Sequence, residues 1–473
     1  MLFIFTCQVM RGQEVISATF IGSKTKSQLI SQFNVPFIGY GAKYYKVLYT
    51  SKDAKGQKDT LSGMLSVPDN ATKRYPRLVY THGTSDCKEC VPSRYGIPGG
   101  EEGQLGLLFA GLGFVSMLPD YVGMGDGRGF QTYVHAGTTV SATDDLVKAC
   151  DGWTAANGVS TNSQLFLTGY SQGGFSSMAY HKYLEQNEGP ESVTAAAHLS
   201  GPYDFSGTMR NLILSQSAYF YPAYIPNTVL GFNEATGTIF TSFSDFFKTE
   251  YIPDITSYYQ GNIPLTELNT RLIDRLTSLE GASIPVRMIR DDVYNQILNN
   301  PDHPANVALR ENDLYRWAPK TPTRLFYCTA DDQVPYLNSI VARDSMVARG
   351  ASDLLAIDVK PTANHGECVV PALTQTILFF LGFQQITSSV ADQGEDGGIL
   401  VYPVPATDEL NIGNIPAGTQ IEIIDITGRP LITARPEDTT ASINVSNLRP
   451  GVHMVIIRDS SSRPVATHLF VKS

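Results

Sequence analysis

The pentapeptide Gly169-Tyr170-Ser171-Gln172-Gly173, set directly after the apolar run Leu165-Phe166-Leu167, constrains this chain more than any other feature. It reads as a strand, a sharp turn and a helix, with a serine at the tip and glycines on both sides. So tight a turn strains the backbone of its central residue and leaves no room for side chains at the flanking positions. The serine hydroxyl is lifted clear of the sheet edge. A G-x-S-x-G string also arises by chance in a Gly- and Ser-rich chain, so its weight depends on the residues that follow it.

A serine hydroxyl attacks a carbonyl only when a base takes its proton, and histidine does this near neutral pH when a carboxylate orients its ring. The stretch Tyr327-Cys328-Thr329-Ala330-Asp331-Asp332-Gln333-Val334-Pro335 ends a buried strand and precedes a helix. Asp331 is the candidate acid and Asp332 its alternate. Pro361-Thr362-Ala363-Asn364-His365-Gly366 falls between the last strand and the final helix, which makes His365 the candidate base. The other seven histidines lack such a setting, although His82 adjoins Gly83 in Thr81-His82-Gly83-Thr84. The charge developing on a carbonyl oxygen needs backbone N–H donors. Gln172, following the serine, is one candidate. Thr84, in Thr81-His82-Gly83-Thr84, is the other, with Ser85 as its alternate.

Other clusters carry less chemistry. Pro119-Asp120-Tyr121-Val122-Gly123-Met124-Gly125-Asp126-Gly127 lacks the lysine of a phosphate cradle and reads as a tight turn, with Asp120 and Tyr121 placed to shape the rim of a site. The acidic pairs Glu101-Glu102 and Asp144-Asp145 are expected at helix starts or on the surface. Cys87-Lys88-Glu89-Cys90 has no thioredoxin-like context and reads as a loop staple or free thiols. Cys328 and Cys368 lie three residues from Asp331 and His365, positions that allow a bridge beside them. No metal site and no organic cofactor is called for.

The 473 residues, 42% apolar and 17% charged, describe a globular chain with more than one domain. A net charge of −10, with no basic run, argues against a nucleic-acid partner. No stretch reaches the ~20 apolar residues of a membrane span. Residues 1–12 resemble the end of a secretory signal peptide without its basic start, so either the leader is short or the true start lies upstream. Cleavage is expected near Gly12-Gln13, and Thr6 is a poor predecessor for a lipidated Cys7.

Residues 24–385 alternate strand-like segments (44–49, 61–67, 77–81, 114–118, 164–168, 193–199, 323–328, 354–359) with helix-like ones (141–153, 174–188, 337–349, 370–383). This predicts an α/β fold with a mostly parallel sheet behind an opening hairpin. Residues 203–320 are too long for a loop and read as an inserted, mostly helical cap, with helices expected over 215–224, 240–251 and 265–280. An acid- and Gly-rich linker, 386–398, precedes residues 399–473, where short strands (400–402, 409–412, 420–425, 441–445, 453–459, 467–471) predict a small all-β sandwich.

On Thr81-His82-Gly83-Thr84, Pro119-Asp120-Tyr121, the serine pentapeptide, the long insertion, Asp331-x-x-Val334-Pro335 and His365-Gly366, residues 13–383 resemble the α/β-hydrolase superfamily. Within it they look most like the secretory lipases typified by fungal lipase A. The resemblance implies a Ser171–His365–Asp331 triad, a helical lid over an acyl pocket, and a small-molecule or lipid ester as substrate. The tail, with Val401-Tyr402-Pro403-Val404-Pro405-Ala406, Gly428-Arg429, Leu448-Arg449-Pro450-Gly451-Val452 and Phe470-Val471-Lys472, is similar to type IX secretion sorting domains, with Val404 in place of that family's usual asparagine. This implies recognition by outer-membrane secretion machinery and delivery to the surface or medium of a Gram-negative bacterium. Two other functions stand beside it: a serine peptidase of prolyl or dipeptidyl type on the same frame, and a binding protein that has lost catalysis.

Overall fold

The computed structural model describes residues 15–388, 399–425, 429–459 and 464–472. The leader, most of the expected linker and Gly428 lie outside them. The chain opens with β1 (Val15–Lys24), α1 (Lys26–Phe33), β2 (Ala42–Lys52) and β3 (Lys58–Pro68). β4 (Lys73–Thr81), α2 (Gly103–Gly111), β5 (Val115–Pro119) and α3 (Ala136–Ala156) follow, then β6 (Thr161–Tyr170), α4 (Gln172–Asn187) and β7 (Ala195–Leu199). Six helices come next: α5 (Arg210–Ile213), α6 (Tyr224–Thr236), α7 (Ile252–Tyr259), α8 (Leu265–Glu280), α9 (Asp291–Asn299) and α10 (Pro304–Glu311). The chain continues with β8 (Thr323–Tyr327), α11 (Leu337–Ala348), β9 (Leu354–Asp358), α12 (His365–Leu381) and β10 (Thr387–Ser388).

One sheet runs in the order β1-β2-β3-β5-β4-β6-β7-β8-β9, with β10 pairing β4. β2 and β3 form the expected in-register hairpin. From β5 to β9 every neighbouring pair is parallel. The interior strands β5 and β7 are buried at every position, as a sheet covered on both faces requires. β1 was not anticipated. It lies ahead of residue 24, pairs antiparallel with β2 and leaves Ile16 and Phe20 exposed, so its alternation is that of an edge strand.

The helices between β7 and β8 enclose a core of their own, including Phe246, Tyr251, Leu268, Leu272, Leu276 and Met288. Of the helices expected there, 265–280 coincides with α8, whose leucines at 265, 268, 272 and 276 face that core. Residues 215–224 are not helical: Pro222 interrupts the segment, and a helix starts only at Tyr224. Residues 240–251 hold a single short turn, Phe243–Asp245, and Phe247 bridges to Ile289 as extended chain.

The second compact unit takes in residues 374–384 and the tail, and the tail folds into two antiparallel sheets. β11 (Leu400–Tyr402), β12 (Glu409–Gly413) and β15 (Ala441–Asn444) make one. β13 (Gln420–Ile424), β14 (Pro430–Ala434), β16 (Gly451–Arg458) and β17 (Pro464–Lys472) make the other. Leu410, Ile412 and Ile443 from the first sheet join Ile421, Ile423, Val455, Ile457 and Phe470 from the second in one core, which makes the tail a sandwich. The sequence pattern did not show β14.

Candidate active site

Ser171 sits at the junction of β6 and α4 with φ 60° and ψ −120°, a conformation rarely adopted by residues with side chains. The surroundings impose it. A Cβ on Gly173 would lie 2.0 Å from the Thr81 carbonyl oxygen, and one on Gly169 would lie 2.3 Å from Thr81 Oγ1. The Ser171 N–H donates to the Leu199 carbonyl, and Thr81 Oγ1 donates to the Gly173 carbonyl, so β7 and β4 both hold the turn.

His365 begins α12 and is only 7% exposed. Its Nε2 lies 2.9 Å from Ser171 Oγ and its Nδ1 lies 2.7 Å from Asp331 Oδ2. The other Asp331 oxygen accepts N–H bonds from Gln333 and Val334, which fixes the carboxylate. Asp332 stands elsewhere: its Oδ1 accepts the His365 backbone N–H. Of the two aspartates left open by the sequence, the structure therefore brings Asp331 to the imidazole and Asp332 to the main chain. The Tyr170 hydroxyl donates to the His365 carbonyl, and the Cys328–Cys368 disulfide ties the end of β8 to the first turn of α12.

Gln172 is the first residue of α4, and its N–H, like that of Thr84, donates to no described residue. Around Thr84 the loop is closely held. The Gly83 N–H donates to both oxygens of Glu102, and Thr84 Oγ1 shares a hydrogen bond with the Tyr133 hydroxyl. Ser85 Oγ bonds to His82 Nδ1. Two expectations are corrected here. Asp120 and Tyr121 do not form a rim: Asp120 is fully buried, and the Tyr121 hydroxyl donates to the His82 carbonyl, supporting the loop from within. Asp144 and Asp145 are buried along α3, not at a helix start or on the surface, because Tyr180 reaches the first and Ser51 the second. The C-x-x-C pair forms a disulfide, Cys87–Cys90.

A largely apolar cavity opens on Ser171. Tyr133, Val134, Phe205, Ile213, Tyr224 and Val334 are among its walls, with Gln172 beside the serine. Its volume, counting the open solvent at its mouth, is about 660 Å³. Tyr133 and Val134 were not singled out from the sequence. Val134, β-branched yet at φ 47°, is a second strained residue at the cavity.

A Legionella pneumophila protein assigned as a hydrolase superposes with TM-score 0.69 at 20% identity, covering 81% of this chain and all of that one. The rice cell wall degrading esterase LipA of Xanthomonas oryzae gives 0.67 at 22% identity, over 77% of this chain and 96% of that one. Candida antarctica lipase A in its closed state gives 0.56 at 15%, over 78% and 80%. The chain has the α/β-hydrolase fold. No curated protein sequence matches it. Residues 400–472 match the secretion system C-terminal sorting domain family, which supports export or display at the cell surface for this chain. Among the described residues, no helix is long and apolar enough to cross a membrane.

Proposed function

We propose that this chain is an exported serine ester hydrolase, and that the relay from Ser171 Oγ through His365 to Asp331 is its catalytic triad. The observation that carries the reading is the pair of contacts at 2.9 and 2.7 Å on the two nitrogens of one imidazole, ending on a serine held in a strained turn. Nδ1–H donates to Asp331, which leaves Nε2 free to accept the serine proton. Ser171 Oγ attacks the ester carbonyl, and the oxyanion that forms takes hydrogen bonds from the Gln172 and Thr84 N–H groups. The alcohol departs with the proton held by His365. Water then attacks the acyl-enzyme by the same relay in reverse, releasing the acid.

The apolar walls of the cavity suit an acyl chain. Its lining, among the described residues, has no carboxylate to hold a peptide amino terminus, which favours an ester over a peptide. In this reading residues 203–320 act as the cap over that cavity, and residues 399–473 are the sorting domain read by the outer-membrane machinery of a Gram-negative bacterium. Hydrolysis of p-nitrophenyl esters of increasing acyl length, beside aminoacyl-p-nitroanilides, tests the proposal. Ester turnover that disappears in Ser171→Ala is expected. Turnover of anilides alone would make the chain a peptidase. Silence on both would leave a binding protein.

A further inference from the structure

α8 is the longest helix of the insertion, and the residue before it, Pro264, offers no side-chain cap. The cap comes from 180 residues away. The Leu265 N–H donates to the Asp86 carbonyl at 2.8 Å, the Thr266 N–H to Asp86 Oδ1 at 2.7 Å, and Thr266 Oγ1 to Asp86 Oδ2 at 3.1 Å. A carboxylate taking a first-turn N–H in this way stabilises a helix start by hydrogen bonding and by its charge against the helix dipole. The helix in turn fixes the loop that supplies the carboxylate.

That loop is the one carrying Thr84, two residues upstream. On its near side the Gly83 N–H is held by Glu102, and on its far side Cys87 is closed onto Cys90. Between those points, among the described residues, hydrogen bonds from Asp86 to the start of α8 join the loop to the insertion. We propose that Asp86 is a positioning residue: by capping α8 it couples the seating of residues 203–320 to the placement of the Thr84 N–H as oxyanion donor. Displacement of the insertion then misplaces that donor, so the site reaches full competence only with the insertion in place. This inference rests on the ester-hydrolase reading above.

The test is steady-state hydrolysis of p-nitrophenyl butyrate by the full chain and by Asp86→Ala, Asp86→Asn and Thr266→Val, with inhibition by phenylboronic acid measured in parallel. Asparagine keeps an oxygen for the Thr266 N–H, whereas alanine keeps none. Asp86→Ala is expected to lower kcat roughly tenfold or more with KM within about twofold, since a donor lost outright costs far more and a displaced one part of that. Boronate inhibition should weaken in parallel, and Asp86→Asn should recover most of the rate. Unchanged kcat in Asp86→Ala would overturn the inference, as would an equal loss in alanine and asparagine variants, which would place the effect in the charge and not in the hydrogen bond to Thr266. Should Asp86→Ala not fold, Thr266→Val decides: a several-fold fall in kcat supports the coupling and an unchanged kcat refutes it. A wild-type chain inert toward esters would instead remove the ester-hydrolase reading itself.

Discussion

At the scale of single residues, the two neighbouring aspartates divide the work of placing one histidine. Asp331 faces the Nδ1 of His365 and Asp332 its backbone N–H. Asp331→Asn should favour the wrong imidazole tautomer and lower kcat on the order of ten-thousand-fold. Asp332→Asn keeps an acceptor for the N–H and should cost no more than about tenfold. Comparing kcat of the two variants checks the division, and equal losses would contradict it. The glycines around the serine serve geometry in a similarly specific way. With the Thr81 carbonyl oxygen 2.0 Å from where a Cβ would stand, Gly173→Ala should destabilise by about 3 kcal/mol or more, read from urea unfolding.

At the scale of elements, α4 and β7 share a buried hydrogen-bonded chain that runs from Ser177 Oγ through His198 and His181 to Glu185. Burial pushes the His198 imidazole well below its ordinary value, and neighbouring His181 pushes the same way. Burial alone would raise Glu185, but His181 and the groups of Lys320 and Thr321 just ahead of β8 outweigh it and bring its carboxyl down to about 2. In the folded state His198 stays neutral where an unfolded histidine takes a proton, so its contribution is lost as pH falls through about 6.5. Glu185 stays ionised where an unfolded glutamate protonates, so its contribution is lost as pH falls from about 4.5 toward 2. Both signs favour neutral pH. Tm should fall between pH 7 and 5, and His198→Gln should make that fall shallower without removing it, because burial also lowers His135, His303 and His468. A variant with the wild-type slope would contradict the assignment. The Cys328–Cys368 bridge closes a separation of 40 residues, a span for which loss of a disulfide costs on the order of 4 kcal/mol. Replacing both cysteines by serine should lower stability by up to that amount, measured by urea unfolding, and lower kcat as well, since Asp331 and His365 stand three residues from the two sulfurs.

The same scale shows what could be read from the chain before its fold was known. The parallel strands were legible because each is a short apolar run in a covered sheet, and α8 because its leucines repeat at helical spacing. The aromatic segments of the insertion were misleading: Phe246, Phe247 and Tyr251 are buried without forming a helix, and α6 conceals its periodicity behind Pro226 and Gly231. β14 begins at a proline, and β1 adjoins the leader-like start. Local pattern singled out Ser171, His365 and the pair Asp331 and Asp332, which the structure brings together. It could not place Asp86, whose partner lies 180 residues away, nor Tyr133 and Val134, which owe their position at the cavity to tertiary packing alone.

At the scale of the whole molecule, a fold shared with hydrolases and a β-sandwich matching a secretion sorting family are joined in one chain, with chemistry proposed for the first and delivery for the second. Deleting residues 399–473 should stop the chain from reaching the cell exterior, as immunodetection on fractionated cells would show. The central claim, that Ser171 is a nucleophile activated by His365, is tested most directly by labelling the full chain with a p-nitrophenyl alkylphosphonate and locating the adduct by mass spectrometry. One equivalent on the peptide containing Ser171, absent in Ser171→Ala and strongly slowed in His365→Ala, is the expected result. An unlabelled wild type, or a label that persists in Ser171→Ala, would contradict it.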